Sequence, residues 1–212
     1  MAEISYDKVQ DYITSLVPAR EPELQEMEAY AEKNGFPIIG ASCGYYLYQL
    51  ARMLNATSVF ELGSGYGYST AWFAKAVIEN GGGVVHHTVW DEDLSKRAQG
   101  HLSRLGRSEV VKYHNAEAVE TLRQTDGPFD IIFNDIDKEG YPDSLPVIKA
   151  KLRNGGILII DNMLWSGRPF DPKNQEQSTE AIRRFTQNIT TDPDWIVSLT
   201  PMRDGMIVAY KK

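Results

Sequence analysis

The chain carries one cysteine, Cys43, in 212 residues, so an intrachain disulfide and a cysteine-based metal site are both excluded. No apolar run approaches the roughly 20 residues that span a bilayer. The opening segment MAEISYDKVQDYITSLV lacks the uninterrupted apolar core of a secretory signal. Positive charge is also scarce: 22 Lys and Arg stand against 29 Asp and Glu, for a net charge of −7 and a pI of about 5.2. An acidic surface repels a phosphate backbone, which disfavours nucleic acid as a partner. There is no internal repeat and no low-complexity segment. The simplest reading of these absences is a cytoplasmic, non-membrane protein of one domain, residues 1–212, long enough to bury a full core.

What is present reads as a helical cap over residues 1–56 followed by a core over 57–212. Helices are expected at Tyr6–Leu16, at Glu21–Lys33 with Pro22 near its start and Gly35 after its end, and at Gly44–Leu54. From Thr57 strand and helix alternate. Strands are expected at Ser58–Leu62, Val84–Trp90, Val110–His114, Phe129–Asn134 and Ile157–Ile160. Helices are expected from Ser69, over Leu94–Leu105, near Ala118–Leu122, after Pro142, and from about Ser178 to Ile189. This alternation implies an α/β fold with a parallel, doubly wound sheet. At the end, Trp195–Leu199 and Met206–Tyr210 are separated only by TPMRDG, too short for a crossover helix, so they pair antiparallel. The longest irregular loop, Trp165–Gln177, leaves the ligand edge of the sheet, where a substrate lid would sit.

Three polar clusters follow apolar, β-branched strands and so fall at their carboxyl ends, the edge where open α/β sheets bind ligands. The first is the turn Gly63-Ser64-Gly65-Tyr66-Gly67, whose glycines let backbone pass close to a ligand. It lacks the G-x-G-x-x-G spacing of a nicotinamide turn, because its third glycine comes one residue early. Glu61 beside it would repel a pyrophosphate but suits a cationic ligand such as a sulfonium amino acid. The alternative is a plain helix-entry turn with a solvated Glu61. The other clusters are Asp135-Ile136-Asp137-Lys138 after FDIIFN and Asp161-Asn162 after GGILII.

The segments FELGSGYGYSTAWFAKA, DIIFNDIDKEGYPD, GGILIIDNMLWSGRPF and RDGMIVAYKK resemble, in order and over nearly the whole chain, the motifs of the cation-dependent S-adenosylmethionine O-methyltransferases. That group contains the catechol and caffeoyl-CoA O-methyltransferases. The resemblance implies a Rossmann-like class I methyltransferase fold, with a seven-stranded, mostly parallel sheet, an antiparallel last strand and N-terminal helices, assembled as a homodimer. With it, S-adenosylmethionine is expected at Glu61, Gly63, Ser64, Gly65, Ser69, Ala116, Ala118 and Asp135, and Trp90 and Asp91 are candidate contacts at the neighbouring strand end. The resemblance places a divalent cation on Asp135, Asp161 and Asn162, a base at Lys138, and substrate contacts at Asp137 and Trp165.

The chemistry is coherent on its own terms. Three hard oxygen donors suit Mg²⁺, with Mn²⁺ or Ca²⁺ as alternatives, whereas zinc prefers His or Cys. Two adjacent hydroxyls can chelate such an ion, coordination lowers a hydroxyl pKa, and a lysine beside a dication is pushed towards a basic role. The expected activity is therefore methyl transfer to a hydroxyl of a catechol-like small molecule. The structural alternative is that Asp135 only marks the cofactor edge, Asp161-Asn162 caps a turn, and Lys138 is a surface cation.

Some residues fit the resemblance less well. The acid that holds the cofactor ribose falls on Val89, which has no acceptor; either the strand runs two residues longer and Asp91 substitutes, or the ribose is held otherwise. Trp90 either covers the adenine face or is simply packed, and Trp165 either meets an aromatic substrate or anchors its loop. Cys43 falls where relatives often carry a glutamate and reads as a small buried residue, not a nucleophile. His86 and His87 lie on a strand distant from the acidic cluster, so partial burial is expected of them and not metal binding. Two rival readings are a methyltransferase of a hydroxylated tRNA base, which would need a basic rim, and a non-catalytic ligand-binding relative, which Val89 would suit.

Overall fold

The computed structural model describes residues 5–212. Helices α1 (Tyr6–Ser15), α2 (Pro22–Asn34) and α3 (Gly40–Met53) precede a sheet of seven strands: β1 (Ser58–Leu62), β2 (Val84–Thr88), β3 (Val111–His114), β4 (Phe129–Asn134), β5 (Leu152–Ile160), β6 (Trp195–Thr200) and β7 (Met206–Lys211). Between them run α4 (Tyr68–Glu79), α5 (Glu92–Arg104), α6 (Ala118–Gln124), α7 (Tyr141–Lys151) and α8 (Gln177–Thr191). The strand order is β3-β2-β1-β4-β5-β7-β6, with β7 antiparallel to both of its neighbours and the other pairings parallel. This is the doubly wound, seven-stranded architecture expected.

Alternation along each strand feeds two separate cores. Val59, Ile131 and Phe133 point into one, with Met27, Leu47, Phe73 and Leu102 from the helices on that face. Phe60, Leu62 and Ile132 point into the other, with Leu122, Ile148 and Phe185. The helix ends follow the sequence signals. Pro22 opens α2 and Gly35, at φ 61°, closes it, while Asp91 and Glu117 cap α5 and α6 through their carboxylates. α3 crosses α4 closely, because a Cβ on Gly44 would lie 2.2 Å from Trp72 Nε1. Helix α1 buries none of its residues and is tied down by polar contacts, Tyr6 Oη donating to the carbonyl of Arg203 at 2.5 Å and Gln10 Nε2 to that of Pro201 at 3.1 Å.

Several boundaries depart from expectation by one or more residues, among them α5, which starts at Glu92 rather than Leu94. α3 starts at Gly40 rather than Gly44. β5 starts at Leu152 instead of Ile157, because an irregularity between Phe129 and Ile131 restores its pairing with β4 across the Asn154-Gly155-Gly156 stretch. β2 ends at Thr88, short of the expected Trp90, and β3 starts one residue late because Ser108–Val110 form a 3₁₀ turn. The Trp165–Gln177 segment is less irregular than its composition suggests. It begins with two short turns over Trp165–Phe170, kinked at Ser166 and Gly167 where the backbone is left-handed, and Arg183 of α8 donates to the carbonyls of Pro169 at 3.1 Å, Asp171 at 2.5 Å and Asn174 at 2.8 Å. Among the described residues no helix is long and apolar enough to cross a membrane.

Candidate active site

The glycine turn leaves β1 and enters α4 at the carboxyl edge of the sheet, and Thr88 at the end of β2 fixes it there. Thr88 makes two hydrogen bonds with Ser64, its N–H reaching the side-chain Ser64 Oγ at 3.0 Å and its carbonyl accepting from Ser64 N at 2.9 Å. Its hydroxyl donates to the Glu61 carbonyl at 2.5 Å. Gly63 is obligatory in this arrangement, since its φ is 82° and a Cβ would lie 2.5 Å from the Asp135 carbonyl. The turn from β1 and the acidic end of β4 are thus in direct backbone contact. Phe36 and Ile39 cover the turn, enclosing a cavity of about 40 Å³ that Ser64, Ser69 and Asp135 also line. A roomier groove of about 370 Å³ lies on the α2–α5 surface, but it contains no strand end and none of the acidic pair.

Glu61 is not solvated: it is 0% exposed, and neither carboxylate oxygen has a hydrogen-bond partner among the described residues. Burial pushes its pKa up to about 7, and the hydroxyls of Ser69 and Thr70 oppose the rise without reaching hydrogen-bond geometry. An orphaned buried carboxylate under a glycine turn fits a cationic ligand. In the unfolded chain the glutamate has its ordinary value of 4.5. Between that value and about 7 the folded chain keeps a proton that the unfolded chain has released, so stability falls as pH rises through this window and levels off above it. Glu61 therefore costs the unliganded protein more stability at pH 8 than at pH 5.5, and Glu61→Gln should raise Tm relative to the wild type more at pH 8 than at pH 5.5. Thermal unfolding across that range checks this, and an equally steep profile in the variant would refute it.

The acidic cluster forms where β4 and β5 end side by side, Asn134 pairing with Ile160. Asp161 is buried, with its pKa pushed up to about 7 by burial and by the charge of Asp135. Asp135 keeps 28% side-chain exposure, and its own pKa is raised by its enclosed setting while the Lys138 ammonium opposes the rise. Asn162 sits in the left-handed region at φ 59° and is half-buried. Two carboxylates, one of which hinders the ionisation of the other, and an asparagine next in sequence to the second are residue types suited to a hard dication. Cys43 on α3 also feels both charges; burial first, and then Asp161, push its thiol up to about 12, so it is inert.

Lys138 is no surface cation, being only 8% exposed. Its Nζ donates to Asp135 Oδ1 at 3.0 Å, to the Ile136 carbonyl at 3.1 Å and to Tyr141 Oη at 2.9 Å. Tyr141 Oη in turn donates to the Asp161 carbonyl at 2.9 Å. The Trp165 ring lies 5.7 Å from Nζ, and its indole nitrogen donates to Ser178 Oγ at 3.2 Å, so it faces the lysine and is anchored as well. Asp137 is exposed at the start of the turn that carries Lys138.

At the adjoining strand ends the expected cofactor residues are more loosely gathered. Because β2 stops at Thr88, the longer strand expected there is wrong. Asp91 uses Oδ1 to cap Leu94 N at 2.9 Å, and Trp90 is 82% exposed, so it is not a packed strand-end aromatic. Asn115 Nδ2 reaches the Trp90 carbonyl at 3.5 Å and joins this end to the exposed Ala116 and the buried Ala118. His86 and His87 are more than partly buried, at 5% and 0% exposure. Ring contacts hold them: His86 bonds His114 at 2.9 Å and His87 bonds Thr70 at 2.9 Å, far from the acidic pair in the sheet order. The sequence reading missed three positioning residues. Thr88 and Tyr141 carried only weak signals, a polar strand end and an aromatic three residues after the lysine. Arg203, whose charge reaches both Asp135 and Asp161, carried none.

This fold, with an unpartnered acid under a glycine turn at the sheet's ligand edge, defines a class I, S-adenosylmethionine-dependent methyltransferase. A family model described as O-methyltransferase matches residues 18–212. The chain is 30% identical to a catechol O-methyltransferase of Niastella koreensis over a 218-residue alignment that covers 98% of each. Its fold superposes on the O-methyltransferase of Bacillus cereus in complex with SAH with a TM-score of 0.87, at 25% identity and 97% coverage of both chains. It is also similar in fold to the O-methyltransferase TomG of Streptomyces achromogenes in complex with SAM, with a TM-score of 0.85 at 24% identity, covering 97% of this chain and 96% of that one. The chain belongs to the O-methyltransferase family of catechol and caffeoyl-CoA type, and it is an S-adenosylmethionine-dependent O-methyltransferase.

Proposed function

We infer that this enzyme transfers the methyl group of S-adenosylmethionine to one hydroxyl of a vicinal dihydroxy-aromatic small molecule, assisted by a divalent cation, Mg²⁺ by preference. The observation that carries the reading is the pair Asp135 and Asp161: the charge of Asp135 disfavours a free Asp161 carboxylate, and Asp135 lies against both the glycine turn and a buried lysine. The relative from Niastella koreensis supports the substrate class. Asp135, Asp161 and Asn162 would hold the cation, which when bound lowers the pKa of a hydroxyl it coordinates and orients it.

Each residue then has a defined task. Glu61 and the turn hold the cationic methyl donor, with Ser64, Gly65 and Ser69 lining its bed, and Asp135 contributes its backbone carbonyl against Gly63. Trp165 covers the aromatic ring of the substrate, and Asp137 stands at the mouth. Lys138 Nζ, held 3.0 Å from Asp135 Oδ1, serves as the base in its neutral form: it first releases one of its three protons to solvent, giving up one of the three bonds it donates, and the freed lone pair then accepts the hydroxyl proton. The oxygen displaces the sulfonium directly, with no covalent enzyme intermediate. Calorimetric titration with S-adenosylmethionine, followed by a methyl-transfer assay on a panel of catechols with and without chelator, tests the reading. Turnover that survives chelation would refute the cation's part, and no turnover on any catechol would refute the substrate class.

At the ribose, Asp91 is the acceptor we assign, through the carboxylate oxygen not used by the cap. Asp91→Asn keeps a helix cap but removes the charge. It should leave Tm nearly unchanged and weaken S-adenosylmethionine binding by about tenfold, the worth of one hydrogen bond to a charged group. Unchanged affinity by calorimetry would mean that the ribose is held without a side-chain acid.

A further inference from the structure

We propose that Tyr141 is the positioning residue that locks Lys138 and the two acidic strand ends into one unit. The inference rests on the metal-assisted reading of the site but concerns a residue that reading leaves unused. The unit's parts come from separate strands: Asp135 and Lys138 follow β4, whereas Asp161 and Asn162 follow β5. Their direct backbone tie is one bond, Asp161 N to the Asn134 carbonyl at 3.2 Å. The Tyr141 hydroxyl supplies a second. It accepts from Lys138 Nζ at 2.9 Å and donates its only proton to the Asp161 carbonyl at 2.9 Å, so its role in the chain of bonds has one direction.

The tyrosine is itself immobile. It is 0% exposed, its ring packs edge-on against Phe185 of α8 at 5.7 Å between centroids, and its backbone opens α7. Lys138 has a flexible four-carbon stem that no strand constrains, so its aim depends on what receives its three protons. Asp135 will be engaged by the cation in the working enzyme, and the Ile136 carbonyl belongs to the same short loop. Among the described residues Tyr141 alone refers the amine to the opposite strand end, and a side chain that orients a reacting group in this way is expected to act through it.

The test is Tyr141→Phe, which removes one oxygen and keeps the ring. It should lower kcat on a catechol by about 10–100-fold, the usual effect of losing an outer-shell partner, and leave the KM for S-adenosylmethionine unchanged. In a Lys138→Met background the same substitution should cause no further loss, because the group through which it acts is gone. An equal loss in both backgrounds is what a merely structural tyrosine gives, and it would overturn the proposal. A readout that needs neither cation nor turnover separates this from failure of the proposed function. In protein labelled with ¹⁵N at lysine, the buried Lys138 ammonium should give a slowly exchanging ¹H–¹⁵N signal with contacts to the Tyr141 ring, absent in Lys138→Met and broadened in Tyr141→Phe. If the wild-type enzyme methylates no catechol, the proposed function fails and this signal still decides the role of Tyr141. A signal absent from the wild type, or unaltered by Tyr141→Phe, would overturn it.

Discussion

Asp135→Ala is expected to abolish cation-dependent methyl transfer, bringing turnover down to that of the wild type in chelator. Asp135 has two tasks that the substitution separates. Its carbonyl lies against Gly63 and is backbone, so the bed of the methyl donor survives the change. Its carboxylate is what would bind the cation and what anchors Lys138 Nζ at 3.0 Å. A dication contributes several kcal/mol of charge stabilisation where an oxygen nucleophile forms, which corresponds to about 10³-fold or more in rate. Losing one of two carboxylate donors also removes the repulsion that disfavours Asp161, so the Asp161 pKa should fall back from about 7. Mn²⁺ titration by calorimetry, with S-adenosylmethionine affinity as the control, measures the separation. An Asp135→Ala enzyme that still responds to added Mg²⁺ would show that the ion is held elsewhere.

Much of this site is readable from the chain because its parts sit where strands end. Buried parallel strands announce themselves as β-branched runs, and whatever polar residue follows such a run is at the ligand edge by construction. That reasoning locates Glu61, Asp135 and Asp161, and the short TPMRDG connection by itself dictates an antiparallel closing pair. It fails where side chains choose among partners. Asp91 carries the right chemistry for a ribose but spends Oδ1 on starting α5, a competition that no spacing rule resolves. His86 lies fully within a stack with Phe60 and His114, because the doubly wound order brings β3 beside β2, a long-range fact invisible to local pattern. Tyr141 and Arg203 are hidden for the same reason: their meaning lies in a contact with another strand end. Glycine spacing suggested a turn, but that Gly63 is needed because of Asp135, some seventy residues away in sequence, emerges only once β1 and β4 are paired.

Lys138→Ala separates two accounts of how the hydroxyl loses its proton. If the amine accepts it, turnover should fall by about 10²–10⁴-fold, the usual contribution of a general base, while S-adenosylmethionine affinity stays nearly unchanged. The side chain is 8% exposed and donates three hydrogen bonds, so its removal strands Asp135 Oδ1, the Ile136 carbonyl and Tyr141 Oη. Of the three, Tyr141 Oη is the fully buried one, and an abandoned buried acceptor costs about 1–3 kcal/mol unless water enters the gap, so Tm should drop accordingly. The rate therefore has to be measured on folded enzyme, well below the new Tm, with Mn²⁺ binding followed alongside. Lys138→Arg adds the decisive comparison. Its guanidinium keeps the positive charge and can still pair with Asp135, but it cannot be deprotonated in a protein and so cannot serve as a base. A base role predicts that the arginine enzyme binds Mn²⁺ and S-adenosylmethionine like the wild type yet turns over as slowly as the alanine enzyme. Restored turnover in Lys138→Arg would assign the residue to electrostatic positioning, and proton loss from the hydroxyl would then fall to coordination by the cation alone.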